Sequence, residues 1–248
     1  MDPQGSYTNA MPAPVNANER LIVALDVTSA EAALQLIAQL GGLVSFYKVG
    51  LELYTSAGPD FVRSLTAQGK KVFLDLKFFD IGETVRRATR QVARMGASFL
   101  SVHEGGMTVA SAVAGAQGSE LKILAVTVLT SMDDSDLQET GISWNMEDLV
   151  LRRARKALER GCHGLIASGQ EAADLRRLAP GSILVTPGIR PAGASADDQK
   201  RAATPAAAIQ AGADYLVVGR PIRDAKDPHA AAQQILNEMQ EGWAFRKA

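Results

Sequence analysis

Eight short apolar runs, each followed by a longer stretch with helical spacing, constrain this chain more than any other feature. The runs span residues 21–26, 45–50, 71–77, 98–103, 123–130, 164–168, 183–186 and 215–219. The helical stretches span residues 29–40, 59–68, 83–95, 108–116, 146–160, 170–178, 205–211 and 229–240. Continuous Val, Ile and Leu, rather than strict alternation with polar residues, mark strands covered on both faces and hence a parallel sheet. Eight strand–helix units within 248 residues predict an α/β fold, a single-domain (β/α)8 TIM barrel over residues 19–248. Gly41, Gly69, Gly96, Gly161 and Gly212 stand between a helical stretch and the next run, where helices are commonly capped. An open doubly wound sheet fits less well. The turn after Leu25-Asp26 reads Val27-Thr28-Ser29, without the glycines of a dinucleotide-binding first turn.

Composition narrows the functions. A net charge of −1 provides no long-range field for nucleic acid or an anionic membrane, so neither is an expected partner, and a bound anion must be held by a local cluster of cations. With one cysteine, Cys162, no intrachain disulfide is expected and a reducing cytoplasm is the expected compartment. No apolar run approaches the length of a membrane span. Residues 1–18, rich in Pro, Asn and Ala, lack the apolar core of a signal peptide and read as a disordered tail.

In a barrel the chemistry sits where the strands end. The polar and turn residues at those ends include Asp26, Lys48, Asp75, Lys77, His103, Thr130, Ser131, Pro187 and Arg220. Two cations and two anions thus mark the ends of the first three strands. Residues i and i+2 of a strand share a face, so Asp75 and Lys77 should point the same way, with Asp80 just beyond on the loop. Gly219-Arg220 follows the eighth run, where barrels commonly hold phosphate with backbone N–H groups, and Arg220 adds a forked cation suited to phosphate oxygens. Residues 187–200 contain two glycines and two prolines. They are long for a connection of this kind and read as a mobile lid.

The third run continues as Phe73-Leu74-Asp75-Leu76-Lys77-Phe78-Phe79-Asp80-Ile81-Gly82-Glu83-Thr84. Asp-x-Lys-x-x-Asp-Ile-x-x-Thr at a strand end resembles the signature of orotidine 5′-monophosphate decarboxylases. Further segments resemble that family in the same order. They are Ala24-Leu25-Asp26, Lys48-Val49-Gly50, Thr127-Val128-Leu129-Thr130-Ser131, Val185-Thr186-Pro187-Gly188-Ile189-Arg190-Pro191, Asp198-Gln199 and Val218-Gly219-Arg220-Pro221. The resemblance covers residues 21 to about 240. Many members carry His-Asp-Ile-Pro-Asn-Thr where this chain has Phe79-Asp80-Ile81-Gly82-Glu83-Thr84. The Gly-Glu pair is instead similar to sugar-phosphate relatives on the same fold.

The resemblance implies decarboxylation of orotidine 5′-monophosphate to UMP and CO2 by a homodimer with shared active sites, without cofactor or metal. Lys48, Asp75, Lys77 and Asp80 would be catalytic, with Lys77 as proton donor. Flanking carboxylates favour the ammonium form of Lys77, which suits it to oppose a carbanion rather than to form a Schiff base. Asp26 and Lys48 would take the ribose, and Thr130 and Ser131 the pyrimidine. Arg190, Gln199, Gly219 and Arg220 would take the phosphate, with Pro187 at the start of the lid. Asp80 and Thr84 would reach into the neighbouring subunit's site, and Phe78 and Phe79 beside them read as exposed rings covered by that partner. A metal-dependent sugar-phosphate enzyme would need a carboxylate near the end of the second strand, where this chain has Lys48. A non-catalytic phosphate-binding barrel would be free to lose Lys77.

Plainer readings stand beside these. Asp80-x-x-Glu83 matches a helix capping box. His103 reads as a satisfied rim or core histidine, and His163 and His229 fit no metal spacing. Cys162 reads as a small buried hydrophobe, and Arg152, Arg153, Arg155 and Lys156 as a solvated helix face.

Overall fold

The computed structural model describes residues 16–191 and 202–246. Its strands are β1 (Leu21–Ala24), β2 (Phe46–Gly50), β3 (Lys71–Phe78), β4 (Phe99–His103), β5 (Lys122–Val126), β6 (Gly164–Ile166), β7 (Ile183–Thr186) and β8 (Tyr215–Val218). They close in sequence order into a parallel barrel, with β8 returning to β1 through Leu21↔Leu216 and Val23↔Val218. The helices among the described residues are α1 (Ala30–Leu40), α2 (Leu51–Ala67), α3 (Gly82–Arg94), α4 (Thr108–Ala116), α5 (Asp134–Glu139), α6 (Met146–Glu159), α7 (Ala172–Leu178), α8 (Pro205–Gln210), α9 (Arg220–Arg223) and α10 (Pro228–Arg246).

The strands separate two packed cores by the period of two along a strand. Leu21, Val23, Tyr47, Val49, Val72, Leu74, Leu100 and Val102 belong to a large cluster with the helices. The alternate residues, among them Ile22, Phe46, Phe73, Phe99, Leu124, Ile183 and Tyr215, form a separate cluster that fills the barrel. Both faces are buried, which is why the runs read as unbroken hydrophobic sequence. The five expected cap glycines all have positive φ, from 58° at Gly41 to 119° at Gly212, a region costly for residues with a side chain.

The elements differ from expectation in several places. Helix α2 begins at Leu51 and is interrupted by Gly58 (φ 70°, ψ −175°), after which Pro59 opens its second half. Proline suits the first turn of a helix, so the expected start at Pro59 marks the restart and not the true beginning. Helix α5 was not anticipated, although Asp133 and Asp136 form a reciprocal capping box around its first turn. The fifth strand ends at Val126, and Thr127 to Thr130 have already left the ladder. The fold also starts before residue 19: Asn16 caps a single turn and Ala17 is buried. The rest of the expected tail, residues 1–15, lies outside the described residues. So do residues 192–200 of the expected lid, including Gln199.

Candidate active site

The charged strand ends converge as a chain of alternating sign. Lys48 Nζ lies 2.7 Å from Asp26 Oδ1 and 3.6 Å from Asp75 Oδ2, and Lys77 Nζ lies 2.9 Å from Asp75 Oδ1. Lys48 and Asp75 are largely shielded from solvent, with side-chain exposures of 11% and 15%, whereas Lys77 retains 33%. Buried charges persist when each is paired, and here each carboxylate has an ammonium beside it. A β-carbon on Gly50 would lie 3.0 Å from Lys48 Nζ and 3.2 Å from Asp26 Oδ1, so the glycine after Lys48-Val49 leaves room for that pair.

Asp75 and Lys77 do point to one site, but not as neighbours on a regular strand. The β3–β4 register runs from Leu74↔Leu100 to Phe78↔Val102, so β3 advances four residues while β4 advances two. Within this bulge Lys77 has φ 49°, and it is the non-glycine residue with positive φ among those described. Such a conformation costs roughly 1–3 kcal/mol and persists where surroundings over-determine it. Ser101 supplies part of that determination. Its Oγ accepts from the Lys77 backbone N–H at 2.9 Å and donates to Asp75 Oδ1 at 2.8 Å. The sequence reading missed Ser101, because a lone serine inside a buried run reads as packing. Burial pushes the Asp75 carboxyl pKa up. The charges of Lys48 and Lys77, with hydrogen bonds from Lys77 and Ser101, more than reverse this and hold it below the ordinary carboxylate value.

Lys48, Asp75, Lys77, Thr130 and Pro187 line one pocket whose other walls are Phe73, Val126, Val128, Leu129, Ile166 and Val217. An apolar wall around few polar groups excludes water and strengthens electrostatic interactions inside. Ser131 is exposed and does not line the pocket. Gly219 stands beside Asp26, since a β-carbon there would lie 3.7 Å from Asp26 Oδ2. Arg220 follows at the start of α9 and is half-buried. Arg190 is buried, its N–H donates to the Ala203 carbonyl at 2.9 Å, and Ile189 pairs with Ala203, so the two feet of the expected lid meet. Asp80 and Thr84 are exposed and outside the pocket.

Several plainer readings change. The capping box at Asp80 and Glu83 does not form. Ile81 occupies the cap position of α3, Asp80 Oδ1 accepts from the Ile81 N–H at 2.6 Å, and Glu83 forks with Arg86 at 2.7 and 2.8 Å. Arg153 is not on a solvated face, because its Nη1 donates to the Thr127 carbonyl at 2.9 Å. Phe78 is half-buried against the main core, and Phe79 is the exposed ring of the two. His103 sits as expected, half-buried, with its ring edge-on to Phe79. Burial lowers its pKa, and the charges of Lys77 and Arg153 lower it further against the pull of Asp75. Cys162 is buried and its thiol is pushed up to about 12 by burial. Among the described residues no three His, Cys, Asp or Glu side chains gather as a metal cradle, and no helix is long and apolar enough to cross a membrane.

Known proteins match this chain over most of its length. A family model described as the orotidine 5′-phosphate decarboxylase / HUMPS family matches residues 19–235. A Rhodopseudomonas palustris (strain BisA53) protein named orotidine 5′-phosphate decarboxylase is 53% identical over 91% of this chain and 97% of its own. One of the same name from Methylorubrum extorquens (strain PA1) is 50% identical over 93% of this chain and 100% of its own. The crystal structure of orotidine 5′-phosphate decarboxylase from Lactobacillus acidophilus superposes with a TM-score of 0.78 at 39% identity, covering 89% of this chain and 99% of that one.

Proposed function

Since the chain belongs to the orotidine 5′-phosphate decarboxylase / HUMPS family, we propose that it converts orotidine 5′-monophosphate to UMP and CO2, closing de novo pyrimidine nucleotide synthesis in the cytoplasm without a cofactor. The observation that carries this reading is the Asp26–Lys48–Asp75–Lys77 chain at the edge of an apolar pocket. Decarboxylation breaks the bond between ring carbon C6 and the carboxylate, and the electron pair stays on C6. That pair has little delocalisation in the pyrimidine, so a fixed positive charge must oppose it. Lys77 is that charge. As CO2 leaves, a proton passes from Lys77 Nζ to C6, and solvent later returns a proton to the amine. Asp75 lies beside the departing carboxylate, adding repulsion in the ground state, while Lys48 balances the carboxylates.

Arg220, the Gly219 backbone, Arg190 and Gln199 hold the phosphate. Asp26 and Lys48 take the ribose, and Thr130 and Ser131 read the pyrimidine, with Pro187 against the ring. Binding energy gathered at the phosphate then serves the reacting carbon. A metal-dependent sugar-phosphate reaction is disfavoured by Lys48, whose ammonium lies between the two carboxylates that would otherwise attract a divalent cation. The test adds orotidine 5′-monophosphate with EDTA present and follows the loss of orotate ultraviolet absorption. Conversion unaffected by the chelator is expected, and folded protein that converts nothing overturns the proposal.

The working form is a homodimer with composite sites. Phe79, Ile81 and Met107 are 67%, 76% and 66% exposed, and they flank Asp80 and Gly82 on adjoining loops. An apolar patch beside a site mouth is the kind of surface a two-fold partner covers. Asp80 and Thr84 then reach the neighbouring site. Mixing Lys77→Ala with Asp80→Ala under subunit exchange should restore activity toward half of wild type per heterodimer, because one site then carries neither defect. Demonstrated exchange without recovery would place Asp80 in its own subunit's site.

A further inference from the structure

Arg223 has no place in the mechanism above, yet it spans the seam where the barrel closes. Its Nη1 donates to the Asp26 backbone carbonyl at 2.7 Å, across 197 positions of sequence. Its Nε and Nη2 fork onto the two oxygens of Asp224 at 2.6 and 2.8 Å. Planar forked pairing of this kind fixes the direction of the remaining N–H groups, so Asp224 aims the guanidinium at Asp26. The Asp224 hydrogen bond raises the Arg223 pKa against the opposing effect of burial, and the carboxylates of Asp224, Asp26 and Glu52 add to the rise. Arg223 and Arg220 belong to the same single turn, α9, which is tied by the Arg223 N–H to the Gly219 carbonyl at 2.9 Å and the Asp224 N–H to the Arg220 carbonyl at 3.0 Å.

Asp26 is therefore held from two sides. Lys48 grips its carboxylate and Arg223 grips its main chain. β1 ends at Ala24 and β8 at Val218, so Asp26 and α9 both lie past the last β1–β8 pair, Val23↔Val218. Beyond that pair the Arg223 bond ties the Asp26 main chain directly to the α9 turn.

We infer that Arg223 is a positioning residue that sets the distance between the ribose-reading Asp26 and the phosphate-reading turn at Arg220. This rests on the ribose role proposed for Asp26. The bond holds one end of the nucleotide in register with the other before the substrate arrives, and pre-set spacing lets phosphate binding energy act at the ring.

The experiment is a kinetic cycle with orotidine 5′-monophosphate in the full-length protein. Arg223→Gln should lower kcat/KM by about tenfold with a clear rise in KM, whereas mere loss of folded enzyme would scale kcat and leave KM alone. Arg223→Lys, which keeps a donor for the Asp26 carbonyl but cannot fork onto Asp224, should recover only part of the loss. In an Asp26→Ala background the same Arg223→Gln change should cost less than about twofold, since residues acting as one unit are not additive. A full penalty in that background, or an unchanged KM in the single variant, overturns the inference and leaves the ribose reading intact. Wild-type kinetics for Asp26→Ala alone would instead remove the ribose reading and the inference with it. Should Arg223→Gln not fold, Asp224→Asn releases the fork while leaving the guanidinium, and it should shift KM in the same direction; an unchanged KM there also overturns the inference.

Discussion

The two ends of the barrel interior are built on the same strands and by opposite chemistry. At the start of the strands Phe46, Phe73, Phe99 and Tyr215 meet in edge-to-face and tilted contacts, with ring centroids 5.1 to 6.1 Å apart, and Arg20 lies 4.6 Å from the centre of the Tyr215 ring. Two residues further along, β2, β3 and β4 present Lys48, Asp75 and Ser101 instead. The aromatic end needs no partner beyond the fold, because ring packing and apolar burial stabilise it directly. The charged end gathers carboxylates and ammonium groups whose desolvation must be offset by one another, and it includes a residue in a costly backbone conformation. One end is built for stability and the other draws on it, and substitutions at each should separate folding from turnover.

Lys77→Ala should give the largest effect, a fall in kcat of many orders of magnitude with a much smaller change in UMP affinity, since the groups proposed to hold the phosphate remain. Single-turnover assays and equilibrium binding measure the two, and a variant retaining more than a few per cent of wild-type kcat would end the catalytic assignment. At the opposite end, Phe99→Ala should cost about 3–5 kcal/mol of unfolding free energy while the fraction that stays folded keeps near-normal kcat. Denaturant melts beside active-site titration would show it. A kcat that collapses in folded protein would mean that the two ends are not separable. Arg220→Ala should lower kcat/KM by at least about tenfold, the equivalent of about 1.5–3 kcal/mol for a charge-assisted contact. Unchanged kinetics would put the phosphate elsewhere.

Ser101→Ala sits on the boundary between the ends. It would leave the Lys77 N–H and one Asp75 oxygen without their hydroxyl partner, so a stability loss of about 1–3 kcal/mol and a reduced kcat should appear together. Loss of one without the other would show that Ser101 serves only folding or only chemistry. The smallest effect concerns pH. A carboxyl whose folded pKa is depressed contributes stability that is present above its unfolded value, about 3.9, and is lost as pH falls through the lower folded value. Asp75 is such a group. Asp75→Asn should therefore show a flatter decline in stability below about pH 4 than wild type, and equal slopes would remove Asp75 from the acid transition.

Much of the barrel was legible because each strand is buried on both faces, and burial on both faces leaves continuous apolar sequence. The charges at the strand ends were legible for the complementary reason, as interruptions of that texture at Asp26, Lys48, Asp75 and Lys77. What escaped depends on distance rather than order. Ser101 matters through contacts with residues 24 and 26 positions away. Arg153 looked like one member of a charged face and instead reaches the Thr127 carbonyl. Asp80 and Glu83 fit a capping pattern, but the chain enters α3 one residue later than that pattern needs, and Ile81 takes the cap position. Arg223 had no signal at all, since its partner Asp26 is at the other end of the sequence.

The irregularity in β3 also bears on how such a site could be made. A draughtsman laying out eight unbroken strands would match every amide of β3 to β4, and side chains would then alternate inward and outward without exception. The stretch from Leu74 to Phe78 departs from that plan by two residues, and the amide of Lys77 is handed to a serine side chain of β4 instead of to a backbone carbonyl of that strand. Trimming those two residues would tidy the ladder and restore an orderly scaffold. It would also strand the serine and turn the lysine away from its aspartate. A scaffold chosen for regularity would therefore have to be spoiled deliberately, at this one place, before it could host the reaction.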